Sequence, residues 1–252
     1  MAFDFPNSPT TVGQTFTPSG GPTYVWNGYA WDIKSVTDAN ARLDAYDEVF
    51  STKLDTRWCR AGTDWSFTEN NLRVTKIGGG GAYIPVFSEL ATLMFPCLYF
   101  EATIMQRGSG PMIGLANRNH SPAVGQYPGI GAYSGGWHWN GTWYNGGSTS
   151  AAVYPTFNTG DTIAIAVHQS IGNLWIRNVT TNTPWNNNAA GAADPSAAPP
   201  TGFVAGAWVY NMGPIAVLCT PYDVGESIRF NFDGPFLGTV PTGYRRWKGR
   251  LP

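Results

Sequence analysis

The densest stretch of side chains suited to ligand chemistry runs from Gly131 to Gly147, where Tyr133, Trp137, His138, Trp139, Trp143 and Tyr144 crowd together with Asn140 and Asn145. A sugar stacks its apolar face on a flat ring while its hydroxyls pair with amide and imidazole groups. Exposed Trp or Tyr beside Asn is therefore a candidate glycan platform. The same residues admit a second assignment, in which Trp139-Asn140-Gly141-Thr142-Trp143 is a hairpin whose alternate rings fill the core. Period-two geometry accommodates both, with one face buried and the other offered. A second polar loop, Asn117-Arg118-Asn119-His120 followed by Gln126-Tyr127, follows an apolar run, so Arg118 is placed to clamp a carboxylate or phosphate, with plain solvent exposure as the alternative. Trp185 with Asn186 to Asn188 forms a third aromatic-amide group.

Catalytic patterns are missing. The sequence holds no nucleophile elbow, no His-Glu-x-x-His zinc motif, no phosphate loop and no strand-borne pair of carboxylates. His120, His138 and His168 lack metal-ligand spacing, and Asp161, Asp223, Glu226 and Asp233 fall at strand ends, where carboxylates organise turns. No catalytic residue, metal or cofactor is expected, and the chain is expected not to be an enzyme. A polysaccharide depolymerase is the competing enzymatic class, because its carboxylates can be distant in sequence.

Composition narrows the partners. Of the 252 residues 12% are charged and 14% aromatic, the formal net charge is -1, and Arg245, Arg246, Lys248 and Arg250 make the one basic cluster, placed as a solvated tail. No basic stripe follows a phosphate backbone, so nucleic acid is not an expected partner. Cys59, Cys97 and Cys219, odd in number and without Cys-x-x-Cys spacing, are expected to be buried free thiols. The start, Met-Ala-Phe-Asp-Phe-Pro, has neither a basic nor an apolar signal region, and no run reaches a membrane span, so a soluble product without a signal peptide is expected.

These side chains need elements to hold them. With 31 Gly and 19 Pro, the chain favours short strands and tight turns. Strands are predicted over 72–77, 98–105, 112–116, 162–168, 173–179, 203–210 and 227–232, each bounded by Gly, Pro or Asn. Seven such segments without intervening helices require two facing antiparallel sheets, an all-β sandwich over residues 58–252. Residues 182–202 are predicted to be a long surface loop. Residues 34–57 carry apolar side chains near helical spacing and are predicted to be a helical linker. Residues 1–33 are predicted to form a small module with a hairpin at Asn27-Gly28, too small for its own core. It is expected to attach to another subunit or domain through Phe3, Phe5, Tyr24, Trp26 and Trp31.

Two resemblances sharpen this. Phe3-Asp-Phe-Pro-Asn-Ser-Pro, Val12-Gly-Gln-Thr-Phe and Tyr24-Val-Trp-Asn-Gly-Tyr-Ala-Trp-Asp together resemble a short module of bacteriophage tail and tail-fibre proteins, over about an eighth of the chain. Three further blocks resemble the SPRY domain, a concanavalin-like sandwich used for recognition. They are Leu98-Tyr-Phe-Glu-Ala-Thr-Ile with Ile113-Gly-Leu-Ala; Phe157-Asn-Thr-Gly-Asp-Thr-Ile-Ala-Ile-Ala-Val with Gly172-Asn-Leu-Trp-Ile; and Ser227-Ile-Arg-Phe-Asn-Phe-Asp-Gly-Pro-Phe with Val240-Pro-Thr-Gly-Tyr and Trp247. One departure is Val167-His168-Gln169, where family members often carry an acidic residue.

The resemblances imply a virion protein, made in the host cytoplasm, whose N-terminal module contacts other virion proteins and whose sandwich loops bind host cell-surface glycan or protein. Trp137, His138, Trp139, Asn140, Trp143, Tyr144, Asn145, Arg118 and Tyr127 are the expected ligand-binding residues. The alternative is a capsid or tail decoration protein that binds no receptor. Weak rim sites gain avidity when several copies engage together, so a homo-oligomer is expected.

Overall fold

The computed structural model describes residues 14–17, 23–26, 31–33, 52–56, 59, 64–89, 96–117, 119–188, 191–205 and 214–247. The chain divides into two units, Met1–Ser51 and Thr52–Pro252.

In the first unit β1 (Thr15–Phe16), β2 (Tyr24–Trp26) and β3 (Trp31–Ile33) make an antiparallel sheet in chain order. Trp26 pairs with Trp31 and Tyr24 with Ile33 across the Asn27-Gly28 segment. Of the rings assigned to attachment, Tyr24 is only 6% exposed and so is spent within the chain's own packing, a correction to its expected outward role. Trp26 is half-buried, while Phe3, Phe5 and the side chain of Trp31 lie outside the described residues.

The predicted linker helix falls mostly outside the described residues, at 34–51. Its last turn is not helical: Leu54 makes an isolated antiparallel bridge to Ser88, its N–H donating to Asn71 O at 2.9 Å and that of Asp55 to Phe87 O at 2.8 Å. Leu54, 1% exposed, is more useful buried against a sheet edge than on a helix face.

In the second unit the strands are β4 (Trp65–Thr68), β5 (Arg73–Lys76), β6 (Val86–Phe87), β7 (Cys97–Gln106), β8 (Met112–Asn117), β9 (Ser134–His138), β10 (Thr142–Asn145), β11 (Ser148–Ala152), β12 (Thr162–His168), β13 (Asn173–Asn178), β14 (Val204–Ala205), β15 (Ile215–Thr220), β16 (Ser227–Asn231) and β17 (Arg245–Arg246). They form two sheets, one ordered β11-β10-β9-β8-β15-β6 and one ordered β14-β13-β12-β7-β16-β5-β4, with β17 added beside β7. Every pairing is antiparallel except β17 on β7. The architecture is the all-β two-sheet sandwich that alternation demanded. Residues 206–210 of the predicted strand at 203–210 lie outside the described residues.

Alternation along β7 sends Leu98, Phe100, Ala102 and Ile104 to one face, in register with Val167, Ile165 and Ile163 of β12 and with Phe230 and Ile228 of β16, all at most 2% exposed. Trp247, fully buried, meets Phe100 edge-on at 5.3 Å. The opposite face carries a second cluster, Tyr99, Ala164, Ala166, Trp175, Ala193 and Tyr244. The loop predicted over 182–202 is, in its described residues, irregular and largely exposed as expected, and it is anchored on this cluster by Ala193 and by Trp175 Nε1 donating to Thr201 O at 2.8 Å. One expectation is corrected. Arg245 and Arg246 are not a solvated tail but a parallel strand on Leu98 and Tyr99, which puts Tyr244 and Trp247 into the fold.

Buried Glu101 ties the closing segment to this face: it accepts from Tyr99 Oη at 2.7 Å and from the backbone N–H of Leu237 and Gly238 at 2.8 and 2.7 Å. Removing one donor from a buried carboxylate is costly, so Tyr99→Phe is expected to lower unfolding stability by about 1–3 kcal/mol in urea titrations. An unchanged midpoint would show that the hydroxyl contributes nothing.

Candidate functional site

The side chains singled out between Gly131 and Gly147 separate by strand register. Trp137 of β9 pairs with Trp143 of β10, the rings 4.5 Å apart, and both point inward at 0% and 6% exposure. They are core residues, which corrects their expected place in a ligand platform: a ring excluded from solvent offers no face for stacking. Period two then sends their neighbours His138 and Tyr144 to the outer face, where both are half-buried. The connecting turn closes with Gly141 N–H donating to His138 O at 2.9 Å, and Asn140 Oδ1 accepts from Thr142 N–H at 3.1 Å.

Tyr127 reaches the same face because the sheet beneath it is bare. A Cβ on Gly114 would lie 2.1 Å from Gly135 O, and one on Gly136 would lie 2.5 Å from Pro128 Cβ, so the segment at Pro128 packs directly on backbone. This sets Tyr127 edge-on to Tyr144, with centroids 5.7 Å apart. From there the rings continue: Tyr127 to Tyr83 at 5.1 Å and Tyr83 to Tyr222 at 4.7 Å in one direction, Tyr144 to His138 at 6.3 Å and His138 to Trp139 at 5.6 Å in the other. The ridge ends on a cation, the Arg107 guanidinium 4.0 Å from the Trp139 ring centre. All seven side chains are half-buried. Val124 and Val224, 45% and 58% exposed, belong to the same loops.

A buried polar frame holds these loops. Lys76, 0% exposed, donates through Nζ to Ala82 O and to Tyr222 O at 2.7 Å, fixing the segments that carry Tyr83 and Tyr222. Glu226, 1% exposed, accepts from the N–H groups of Gly108 at 2.9 Å, Gly110 at 3.2 Å and Tyr222. Asp223 Oδ2 accepts from Ser109 N–H at 2.7 Å and Ser109 Oγ at 2.6 Å, and Ser109 O in turn accepts from Trp139 Nε1 at 2.7 Å.

Burial shifts the titrating groups here. It lowers Lys76, against the opposing pull of Glu226, Asp64 and Asp223. It raises Glu226 against its backbone donors. The hydrogen bonds from Ser109 hold Asp223 below the usual carboxylate range. Tyr83 is pushed up to about 12, chiefly by desolvation and then by Tyr144, Tyr222, Glu226 and Tyr127. Burial also depresses His138, partly offset by its hydrogen bond with Asn140. At neutral pH the Tyr83 phenol and the His138 imidazole are therefore both neutral.

Of the predicted ligand-binding residues, the structure brings together Tyr127, His138, Trp139, Asn140 and Tyr144. Asn145 lies at the far end of β10, opposite Gly135, and Arg118 lies outside the described residues. Tyr83, Tyr222 and Arg107 were not anticipated, being isolated rings and a cation with no local pattern. Of the Trp185 group only Asn186 is buried: it is 3% exposed, its Oδ1 accepts from Ile176 N–H at 2.9 Å and its Nδ2 donates to Gly202 O at 2.7 Å, while Trp185 lies half-buried under Arg177 at 4.9 Å and Asn187 and Asn188 are exposed. Among the described residues no group of three His, Cys, Asp or Glu side chains is arranged to hold a metal ion.

No family model and no curated protein matches the chain. Solved structures do. The PSpry domain of TRIM65 is 12% identical with a TM-score of 0.50, covering 76% of this chain and 95% of that one. A human SPRY domain is 17% identical with a TM-score of 0.47, over 70% and 100% of the two chains. The SPRY domain of human HERC1 is 13% identical with a TM-score of 0.46, over 70% and 96%. The likeness to the TRIM65 domain is one of fold, and the sandwich is SPRY-like.

Proposed function

We propose that this chain is a non-catalytic binding protein that engages a host cell-surface glycan along the ridge from Tyr222 to Trp139, displayed on a phage virion through residues 1–33. One observation carries the binding reading. Four tyrosines, Tyr83, Tyr127, Tyr144 and Tyr222, stand half-exposed in a connected row, and none of their hydroxyls has a hydrogen-bond partner among the described residues. Ring faces beside unengaged hydroxyls suit a ligand that alternates C–H patches with hydroxyls, which is the surface of a sugar. The acids near the ridge favour binding over turnover, since Glu226 and Asp223 are committed to backbone and serine donors. The virion setting rests on the N-terminal sequence resemblance.

A half-exposed ring that stacks on ligand behaves as a binding hot spot, so Tyr144→Ala and Tyr127→Ala are each expected to weaken binding to host polysaccharide by roughly thirtyfold. Thermal stability should change little, and no reducing ends should appear on prolonged incubation. Parent-like affinity in both variants removes the ridge as the binding site. Release of reducing ends replaces binding with hydrolysis.

A further inference from the structure

The aromatic ridge ends on a cation that the fold holds still and leaves unused. Arg107 follows β7 directly, and its backbone N–H donates to Thr159 Oγ1 at 2.9 Å. Its guanidinium lies over Trp139, whose indole is fixed in turn by Nε1 donating to Ser109 O at 2.7 Å. Both ends of the stack are thus anchored, which removes much of the rotamer freedom an arginine would lose on binding. Among the described residues the Arg107 guanidinium makes no hydrogen bond and no ion pair, whereas Arg73 and Arg229 share Glu69 elsewhere.

The nearby carboxylates do not compete for it. Asp223 turns its Oδ2 to Ser109, and Glu226 is buried beneath the loops, accepting three backbone N–H groups. A guanidinium stacked on a ring keeps its N–H edges free for a planar two-oxygen acceptor, and a carboxylate is the matching partner. A neutral sugar offers that fork hydroxyl oxygens without the charge that makes such a pair strong.

Resting on the glycan reading above, we infer that the ligand is an acidic polysaccharide, and that Arg107, stacked on Trp139, takes the carboxylate of a uronic or sialic acid residue while neighbouring sugars lie along His138, Tyr144 and Tyr127. The unengaged phenol hydroxyls favour this over an acidic peptide, whose backbone would ask for a sheet edge or an apolar groove.

The test uses the full chain in affinity gels cast with polygalacturonate, alginate or polysialic acid, with the carboxyl-reduced neutral form of each, and with poly-L-glutamate. Retardation by at least one acidic polysaccharide is expected, weakened roughly tenfold or more by carboxyl reduction. Arg107→Ala should lose the same factor on the acidic polymer and nothing on its reduced form. Arg107→Lys, which keeps the charge but not the fork, should fall between. The inference is overturned if acidic and reduced polymers bind alike, if Arg107→Ala binds the acidic polymer as the parent does, or if poly-L-glutamate alone is bound. Binding of reduced polymers that depends on Tyr144 would leave the glycan reading standing without this refinement, whereas no retardation by any polysaccharide removes both.

Discussion

Glu226→Ala is expected to lower the unfolding free energy by about 3–5 kcal/mol and the melting temperature by roughly 10 °C, and to abolish ligand binding at temperatures where the protein is still folded. The carboxylate is 1% exposed and accepts the N–H groups of Gly108, Gly110 and Tyr222. Removing it leaves these donors without their acceptor, and each unmet buried donor costs about 1–3 kcal/mol. Lys76 loses a stabilising neighbour as well, since Glu226 is the largest influence opposing the desolvation that lowers its pKa. The binding loss follows from geometry. Gly108 and Gly110 flank Ser109, which seats Trp139, while Tyr222 packs at a tilt against Tyr83. Both ends of the ridge therefore hang on one side chain. Glu226→Gln, which keeps one acceptor oxygen but turns an amide NH2 toward backbone donors, should cost about 2 kcal/mol. Lys76→Met together with Glu226→Gln should cost less than the sum of the single changes, because the two groups act on the same loops. Urea denaturation and calorimetry measure all of these. A shift under about 2 °C for Glu226→Ala would mean that the loops are held by other contacts.

That frame explains which parts of the molecule the residue pattern disclosed. Thr162–His168 and Asn173–Asn178 were legible because Ile163, Ile165 and Val167 alternate between glycine-bounded turns, and the ladder pairs them in register with Asn178, Ile176 and Leu174. Ile215–Thr220 was passed over. Its unbroken run Ile-Ala-Val-Leu-Cys-Thr has no alternation, because β15 lies between β8 and β6 with both faces buried. Within the site, His138, Trp139 and Tyr144 were found through local density of rings, and Tyr127 through a polar loop that follows an apolar run. Density could not say that Trp137 and Trp143 face inward, since that depends on their being cross-strand partners, and a one-residue slip would have exchanged the two sets. Tyr83, Arg107 and Tyr222 join the ridge through loops far apart in the chain, brought together by Lys76, Glu226 and Ser109. Arg245 and Arg246 looked like a charged tail because charge marks exposure in a single sequence. The strand they form is fixed by their neighbours Tyr244 and Trp247, whose burial pulls the basic pair onto β7.

Stability should also fall steeply on mild acidification, by about 3 kcal/mol between pH 6.5 and pH 4, with most of the slope traceable to His120. The side chain is 3% exposed, its Nε2 has no partner, and its ring meets Phe87 edge-on at 5.9 Å beside the apolar cluster of Phe87, Ala116, Ala216 and Leu218. Burial holds its pKa down at about 4. In the unfolded chain the same imidazole takes up a proton near pH 6.5, so between these values the unfolded state binds more protons and stability drops as pH falls. Below about pH 4 both states are protonated and the contribution is fully lost. His138 and His168, also depressed by burial, add smaller slopes of the same sign. Glu226, raised by burial, works in the opposite direction, and Asp223, held low by Ser109, adds its loss only at more acid pH. His120→Leu removes the titrating group and its unpaired nitrogen together, so the variant should match or exceed the parent at pH 5 while differing little at pH 7.5. Melting temperatures of parent and variant across this range decide the matter. Parallel curves would place the acid sensitivity on other groups, and a variant destabilised equally at every pH would show that the imidazole serves packing alone.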